Sequence, residues 1–163
     1  MVYFNWIFRE RKYKMDTKQN IPKVYFAGAI RGGREDADLY KTIISYIEKY
    51  AVVLTKHVGD LSLRAIEGMP NRTAEIYRQD IEMLETCDLV IAECTTPSLG
   101  VGYELAYAEK LHKPCFLFYR KSKRRLSAML LGNPYFSVTA YTSEEELYEA
   151  LDKLFLTQWG IPT

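Results

Sequence analysis

Short apolar runs alternate along this chain with segments in which apolar residues recur every three or four positions. Five of these runs have the composition of strands, and they cover residues 24–27, 52–55, 89–92, 115–119 and 136–141. Strands that are apolar on both faces are typical of a parallel sheet with helices on each side. The pattern therefore predicts an α/β fold.

The segments with helical spacing fall between these strands, at residues 34–50, 71–86 and 102–112, and a last helix begins at Ser143. Glu146, three residues after Ser143, is placed to form a capping box with it. This alternation predicts one doubly wound domain of the flavodoxin or Rossmann type over residues 22–157, with five parallel strands in the order 2-1-3-4-5. Ligands of such domains bind beyond the carboxyl ends of the strands.

The two ends of the chain are expected to lie outside that domain, residues 1–21 as a flexible extension and residues 158–163 as a tail. A brief apolar run at residues 2–8 precedes four basic residues, which is the reverse of a secretory signal. Seven residues are also far too few to span a bilayer. An amphipathic arm that touches a membrane is the alternative interpretation of this segment.

The composition of the chain is that of a soluble globular protein, with 48% hydrophobic and 26% charged residues in a length of 163. A net charge of +1 gives no reason to expect nucleic acid or a membrane as a partner, so any anion site must be local. Cys87, Cys94 and Cys115 lie beside apolar residues and lack zinc spacing. They predict buried, reduced thiols, no metal site, and a cytoplasmic or nuclear location.

A glycine-rich loop follows the first strand and opens the first helix. Its small residues let a ligand approach the backbone, and the free amides of a helix start attract an anion. The loop is an expected phosphate-binding segment, and its members are Gly28, Ala29, Ile30, Arg31, Gly32, Gly33 and Arg34. Its spacing fits neither a dinucleotide nor a triphosphate motif, and a plain strand-to-helix turn is the alternative.

Two carboxylates are candidates for catalysis. Asp80 lies within the apolar stripe of its helix, and a carboxylate that faces the sheet is costly unless it is paired or used. Glu104 is expected in the first turn of the helix after the third strand, where the helix N-terminus favours the ionised form. Two carboxylates in one cleft suggest glycoside chemistry. A buried structural aspartate and a surface glutamate are the alternatives.

Other polar positions are weaker candidates. Ser98, Gly100 and Gly102 are expected to form a second small-residue loop that suits hydroxyl or phosphate contacts. His57 follows the second strand at the ligand end of the sheet, where it serves either a substrate contact or a structural role. The basic residues 120–125 are expected to form a solvated loop, or to raise the local potential for an anionic substrate.

Four segments, taken together and in this order, closely resemble the 2'-deoxynucleoside 5'-phosphate N-hydrolase family, relatives of the nucleoside 2-deoxyribosyltransferases. They are residues 24–36, 54–58, 97–104 and 126–129. The resemblance implies hydrolysis of a (2'-deoxy)nucleoside 5'-monophosphate to free base and (deoxy)ribose 5-phosphate, without metal or cofactor. A deoxyribosyltransferase that exchanges bases and a nucleotide-binding module without turnover are the alternatives.

The resemblance also implies roles for the candidate catalytic residues. Glu104 matches the family nucleophile, which forms a covalent glycosyl-enzyme intermediate. Asp80 matches the second carboxylate, which assists the leaving base and positions the site. Tyr25 matches a tyrosine that lies near the sugar and the nucleophile.

The remaining matches concern the phosphate and the quaternary structure. Residues 28–33 and Ser98 match the 5'-phosphate pocket of the family. Ser127 matches a serine supplied by the neighbouring subunit, which implies a homodimer with shared sites. Ala29 departs from the serine that is common at that position, so one hydroxyl for the phosphate is missing and the resemblance implies weaker phosphate binding.

Overall fold

The computed structural model describes residues 21–29, 36–59, 72–121 and 125–161. Its strands form one sheet of five, in the order β2-β1-β3-β4-β5, and every neighbouring pair is parallel. The strands are β1 Lys23–Ala27, β2 Val52–Val53, β3 Leu89–Glu93, β4 Cys115–Arg120 and β5 Ser137–Tyr141. The predicted α/β architecture and strand order are confirmed.

Helices cover both faces of this sheet. They are α1 Ala37–Ile47, α2 Thr73–Thr86, α3 Leu99–Lys110, α4 Ala128–Leu131 and α5 Glu144–Trp159, and a 3₁₀ turn spans Lys56–Gly59. The sequence pattern predicts neither the 3₁₀ turn nor α4, because a single turn is too short to show an apolar period. None of the helices in the described ranges is long and apolar enough to cross a membrane.

Successive side chains of β1 enter opposite cores, because side chains alternate along a strand. Phe26 packs in one core with Ile43 of α1 and Leu147 of α5. Tyr25 packs in the other core with Leu105 of α3. The face of the sheet that carries α2 and α3 is therefore the one that receives the Tyr25 ring.

β2 pairs with β1 over only two residues, although the sequence pattern predicts a strand over residues 52–55. Thr55 explains the difference. Its hydroxyl accepts a hydrogen bond from the Phe26 amide (2.8 Å) and donates one to the Phe26 carbonyl (2.7 Å). A side chain thus takes the place of a backbone partner, and it fixes the turn that carries His57 at the carboxyl end of the sheet.

The start of α5 agrees with the predicted cap. The Ser143 hydroxyl accepts a hydrogen bond from the Glu146 amide at 3.4 Å. The Glu146 carboxylate accepts its own bond from the amide of Thr142, at 2.7 Å, rather than from that of Ser143. The Ser143 hydroxyl thus satisfies an amide of the first turn, whereas the Glu146 carboxylate bonds to the residue before the cap. The predicted capping box is therefore formed only in its Ser143 half.

The apolar positions of α2 do not all enter the core. Tyr77 lies at helical spacing with Leu84, but its side chain is 52% exposed, whereas Leu84 is fully buried. The hydroxyls of Tyr77 and Tyr103 of α3 lie 3.3 Å apart. A tyrosine has an apolar ring and a polar tip, so this pair closes the α2–α3 contact at the surface instead of entering the core.

Candidate active site

Tyr25 and Glu104 form the centre of the site. Tyr25 is 2% exposed, and its hydroxyl donates a 2.9 Å hydrogen bond to Oε1 of Glu104. Burial raises the pKa of the Tyr25 phenol above its usual range, and the negative charges of Glu104 and Asp80 raise it further. The hydroxyl therefore keeps its proton and acts as the donor in this bond.

Glu104 has a raised pKa of about 7, because the side chain is largely removed from water. The hydrogen bond from Tyr25 lowers the pKa, and the charge of Asp80 raises it. The expected place of Glu104 in the first turn of its helix is wrong, because α3 begins at Leu99 and Glu104 is its sixth residue. The field of a helix N-terminus falls off within the first turn. Burial consequently decides the ionisation of this carboxylate.

Asp80 is half-buried on α2, and its pKa is raised by burial and lowered by the charge of His57. His57 is also half-buried, in the 3₁₀ turn after β2. Because Asp80 raises the pKa of both Tyr25 and Glu104, the three side chains form one electrostatic group. The structure thus brings together the three residues predicted to be catalytic. No three side chains of metal-ligating type lie together within the described part of the chain.

The predicted phosphate loop is described only at its start. Gly28 packs against the ring of Tyr40, and a Cβ on this residue would lie 3.0 Å from a ring carbon. The Ala29 amide donates a 3.2 Å hydrogen bond to the Tyr40 hydroxyl. That amide is therefore engaged by α1, although free amides were expected here. Ile30, Arg31, Gly32, Gly33 and Arg34 lie outside the described residues.

Ser98 is the N-cap of α3 rather than part of a loop. Its hydroxyl accepts a 3.4 Å hydrogen bond from the Val101 amide, and the helix begins at the next residue. Gly100 and Gly102 consequently lie in the first turn, which corrects the predicted small-residue loop. Glycine has a low helix propensity, so the sequence pattern does not show that the helix begins here. The Ser98 cap and the backbone hydrogen bonds of the following turns stabilise this start.

A cavity of about 470 Å³ separates α3 from α4. Ser98 and Ser127 both line it, together with Arg125 and Asn133. Ser127 is exposed and caps α4, because its hydroxyl accepts a 3.3 Å hydrogen bond from the Met129 amide. Ser127 therefore faces the same cavity as Ser98 of its own chain, while Tyr25 and Glu104 do not line it.

A buried polar network at the carboxyl ends of β3 and β4 is not predicted by the sequence pattern. Asp36 is 3% exposed, forms an ion pair with Arg120 and accepts a 2.9 Å hydrogen bond from the Thr96 hydroxyl. The expectation of a solvated basic loop is wrong at Arg120, whose side chain is only 18% exposed. Glu93, at the end of β3, is 1% exposed and accepts a 3.0 Å bond from Tyr141.

Comparison with protein families gives one match that covers most of the described fold. Residues 24–151 match the nucleoside 2-deoxyribosyltransferase family. The 5-hydroxymethyl-dUMP N-hydrolase of Rattus norvegicus is 45% identical over 137 residues, which are 81% of this chain and 83% of that protein. The protein of the same name from Homo sapiens is 43% identical over 139 residues, which are 82% of this chain and 79% of that protein.

Comparison with solved structures agrees on the architecture. The CMP N-glycosidase of Clostridium botulinum superposes with a TM-score of 0.55 at 20% identity. The alignment covers 80% of this chain and 98% of that protein. At this identity the likeness shows a shared fold, and the chemistry of the site has to be argued from its own residues.

Proposed function

The chain belongs to the nucleoside 2-deoxyribosyltransferase family, and from this premise we propose that it is a hydrolase of the N-glycosidic bond of nucleoside 5'-monophosphates. It releases a free base and a sugar 5-phosphate, which is 2-deoxyribose 5-phosphate for a deoxynucleotide. The hydrogen bond from Tyr25 to Glu104 carries the proposal. It holds a carboxylate of raised pKa beside a second carboxylate, in a chain 45% identical to an N-hydrolase.

Glu104 is the proposed nucleophile. In its ionised form an oxygen of the carboxylate attacks the anomeric carbon, the bond from that carbon to the base breaks, and a glycosyl ester forms. A water molecule then attacks the same carbon and loses a proton, which replaces the one that the departing base has taken up. This step releases the sugar with its original configuration and returns the carboxylate. Tyr25 supports the first step, because its hydrogen bond favours the ionised form of Glu104.

Asp80 is the proposed partner of the departing base. Burial raises its pKa, so the carboxyl binds a proton more readily than an exposed aspartate does. A proton or a strong hydrogen bond delivered to the base neutralises the charge that develops as the glycosidic bond breaks. His57, whose charge acts on Asp80, is proposed to contact the same end of the substrate.

The 5'-phosphate is proposed to bind between residues 28–34 and Ser98. Both segments follow parallel strands at the carboxyl edge of the sheet, which is where ligands of doubly wound domains bind. Gly28 permits close backbone packing against Tyr40, and Ser98 and Gly100 stand at the start of α3. Arg31 and Arg34 supply the positive charge that a phosphate group requires.

A homodimer is proposed, in which Ser127 of one subunit completes the site of the other. Large apolar side chains are exposed on neighbouring helices, and exposed apolar surface of this kind marks association sites. The most exposed among them are Leu99 (97%), Met129 (81%) and Leu131 (56%). Leu99 and Met129 also border the cavity that contains Ser98 and Ser127.

A turnover assay tests the proposed function. The rat and human relatives are named for 5-hydroxymethyl-dUMP, so this nucleotide is assayed beside common deoxynucleotides and ribonucleotides, with release of free base and sugar phosphate as the readouts. We expect the wild-type chain to release both products. Glu104→Gln should release neither. A slowly hydrolysed 2-fluoro analogue should leave a sugar phosphate on the peptide that contains Glu104.

Two other outcomes would reject hydrolysis. A new nucleotide in the presence of a second free base, without sugar phosphate, identifies a base-exchanging transferase. Intact nucleotide after long incubation, together with saturable binding, identifies a binding module. An adduct on a residue other than Glu104 would keep the activity but reject the proposed nucleophile.

A further inference from the structure

Asp36 occupies the N-cap position of α1, but its side chain does not cap that helix. The carboxylate is buried and turns away toward the loop between β3 and α3. There it accepts a 2.9 Å hydrogen bond from the Thr96 hydroxyl and forms an ion pair with the Arg120 guanidinium. These two contacts take the place of a capping hydrogen bond. They join the start of α1 to the ends of β3 and β4.

Thr95, the neighbour of Thr96, is fixed in the same way. Its hydroxyl accepts a 2.8 Å hydrogen bond from the Arg120 amide and donates to the buried carboxylate of Glu93. The Thr95 amide donates to the same carboxylate at 3.2 Å. Arg120 therefore holds this loop twice, through its backbone at Thr95 and through Asp36 at Thr96.

Two members of the network adjoin, along the chain, the two segments proposed to bind the 5'-phosphate. Asp36 stands two residues after Arg34, and Thr96 stands two residues before Ser98. A buried carboxylate at this place would repel a phosphate dianion unless a positive charge compensates it. Arg120 is the cation that compensates Asp36.

We propose that Arg120 is a positioning residue for recognition of the 5'-phosphate and that it acts through Asp36 and Thr96. This inference rests on the proposed function. Arg120 neutralises the charge of Asp36 and keeps it bonded to Thr96, and so holds the start of α1 and the Ser98 segment at a fixed separation. The bond between Tyr25 and Glu104 involves none of these residues, so loss of Arg120 affects binding of the phosphate more than the chemical step.

The test compares Arg120→Met, which keeps the length of the side chain, with Arg120→Lys, which keeps the charge. Three readouts are taken: KM and kcat for the nucleotide, the inhibition constant of inorganic phosphate, and the inhibition constant of the released base. Arg120→Met should raise KM and weaken phosphate inhibition by about tenfold or more, with kcat within about threefold and base inhibition unchanged. Arg120→Lys should lie between the wild type and Arg120→Met.

Lys153→Met is the matched control, because it removes an exposed cation from α5. It should leave all three readouts unchanged. Thr96→Val provides a second test of the same link if Arg120→Met does not fold, since it deletes the hydroxyl that donates to Asp36. It should raise KM in the same direction by a smaller factor.

Two results would overturn the role of Arg120. One is a loss in which kcat falls as much as KM rises and base inhibition weakens in parallel, which is what general structural damage produces. The other is an unchanged KM in both Arg120→Met and Thr96→Val. Failure of the proposed function is distinct, because the wild-type chain would then release no base from any nucleotide. Equilibrium binding of deoxyribose 5-phosphate would still measure the contribution of Arg120 in that case.

Discussion

The Tyr25 hydroxyl donates to the Glu104 carboxylate at 2.9 Å across 79 residues of sequence. Two opposing effects set the pKa of Glu104. Burial disfavours the negative charge of Glu104, and the hydrogen bond favours it, with a resulting pKa of about 7. The balance gives a carboxylate that ionises near neutral pH and has little solvent around it, two properties that suit a nucleophile in a glycosidase.

The pH dependence of turnover should report this balance. We expect kcat/KM to fall on the acidic side of about pH 7, because the nucleophile must be ionised and burial raises the pKa of Glu104 to about 7. Tyr25→Phe removes the contact that lowers this pKa, so the acidic limb should move to higher pH. The comparison is a pH–rate profile of the two proteins with one substrate. An unmoved limb in Tyr25→Phe would show that Glu104 does not control it.

Glu104→Gln should lower kcat by roughly a thousandfold or more, and the variant should still bind substrate. It should also change the pH dependence of stability. The native state binds the Glu104 proton up to about pH 7, above the ordinary value of 4.5. Wild-type stability is therefore lost as pH rises between these values. Glu104→Gln has no carboxyl group at this position and does not lose stability in this way. The unfolding free energy of the variant minus that of the wild type should therefore increase between pH 4.5 and 8, by at most about 3 kcal/mol.

Thermal melts of both proteins across that pH range measure the difference. Asp152→Asn is a useful control, because Asp152 is a half-buried carboxylate that accepts bonds from Tyr46 and Tyr50 far from the site. The change in this variant provides the comparison for loss of one carboxylate elsewhere in the fold. A constant difference between Glu104→Gln and wild type from pH 4.5 to 8 would contradict the raised pKa of Glu104.

Asp80→Asn should slow turnover according to how poorly the base leaves. An amide donates a hydrogen bond but cannot transfer a proton, so bases that need protonation should lose the most rate. Rates for a series of nucleotides with different leaving bases, plotted for both proteins, give the comparison. The losses in Asp80→Asn and Glu104→Gln should not add, because both residues act in one transition state. A uniform loss for every base would reject a leaving-group role.

The strands and their order follow from the sequence because continuous apolar runs have one main structural solution, a parallel sheet covered on both sides. Asp80 and Glu104 are candidates from their positions in the sequence, whereas Tyr25 is a candidate only through the resemblance to the family. The start of α3 does not, because Gly100 and Gly102 have low helix propensity and the Ser98 cap becomes visible only with the helix formed.

The Asp36–Arg120 pair shows a second limit. The sequence predicts Arg120 only as the first residue of a solvated basic loop and assigns Asp36 no contact. Such patterns use neighbours in the chain, whereas this contact joins the start of α1 to the end of β4. Pairs of charged residues that are distant in the chain leave no periodic pattern in the sequence. They can be identified only once the packing of the sheet and its helices is known.

Ala29→Ser should bind the phosphate more tightly, because it restores a hydroxyl in the proposed pocket. Ala29 is 1% exposed, so the added hydroxyl is buried and lacks its intended partner when no substrate is bound. An unsatisfied buried hydroxyl costs about 1–3 kcal/mol. We therefore expect a lower Tm for the free variant and a larger rise in Tm on adding nucleotide than in the wild type. Equal affinity and equal ligand-induced shifts would reject a phosphate contact at residue 29.

Ser127 provides the final prediction, which tests the shared site. Ser127→Asp retains a capping residue for α4, since aspartate caps helices as well as serine. It also brings a negative charge toward the phosphate, so it should inactivate the site that it joins. Mixed with Glu104→Gln, two inactive proteins can form a heterodimer in which wild-type Glu104 meets wild-type Ser127 from the partner subunit.

If subunits exchange freely, half of the dimers are mixed and each contains one intact site, so the mixture should recover about a quarter of wild-type activity. Cross-linking or sedimentation establishes that exchange has taken place. If Ser127 instead serves Glu104 of its own chain, each subunit of the heterodimer has one defect and no activity returns. Ser98 and Ser127 line the same cavity within one chain, so a site built from a single chain is the alternative that this experiment must separate. Recovery of activity therefore requires that the phosphate end of the site lies across the subunit boundary.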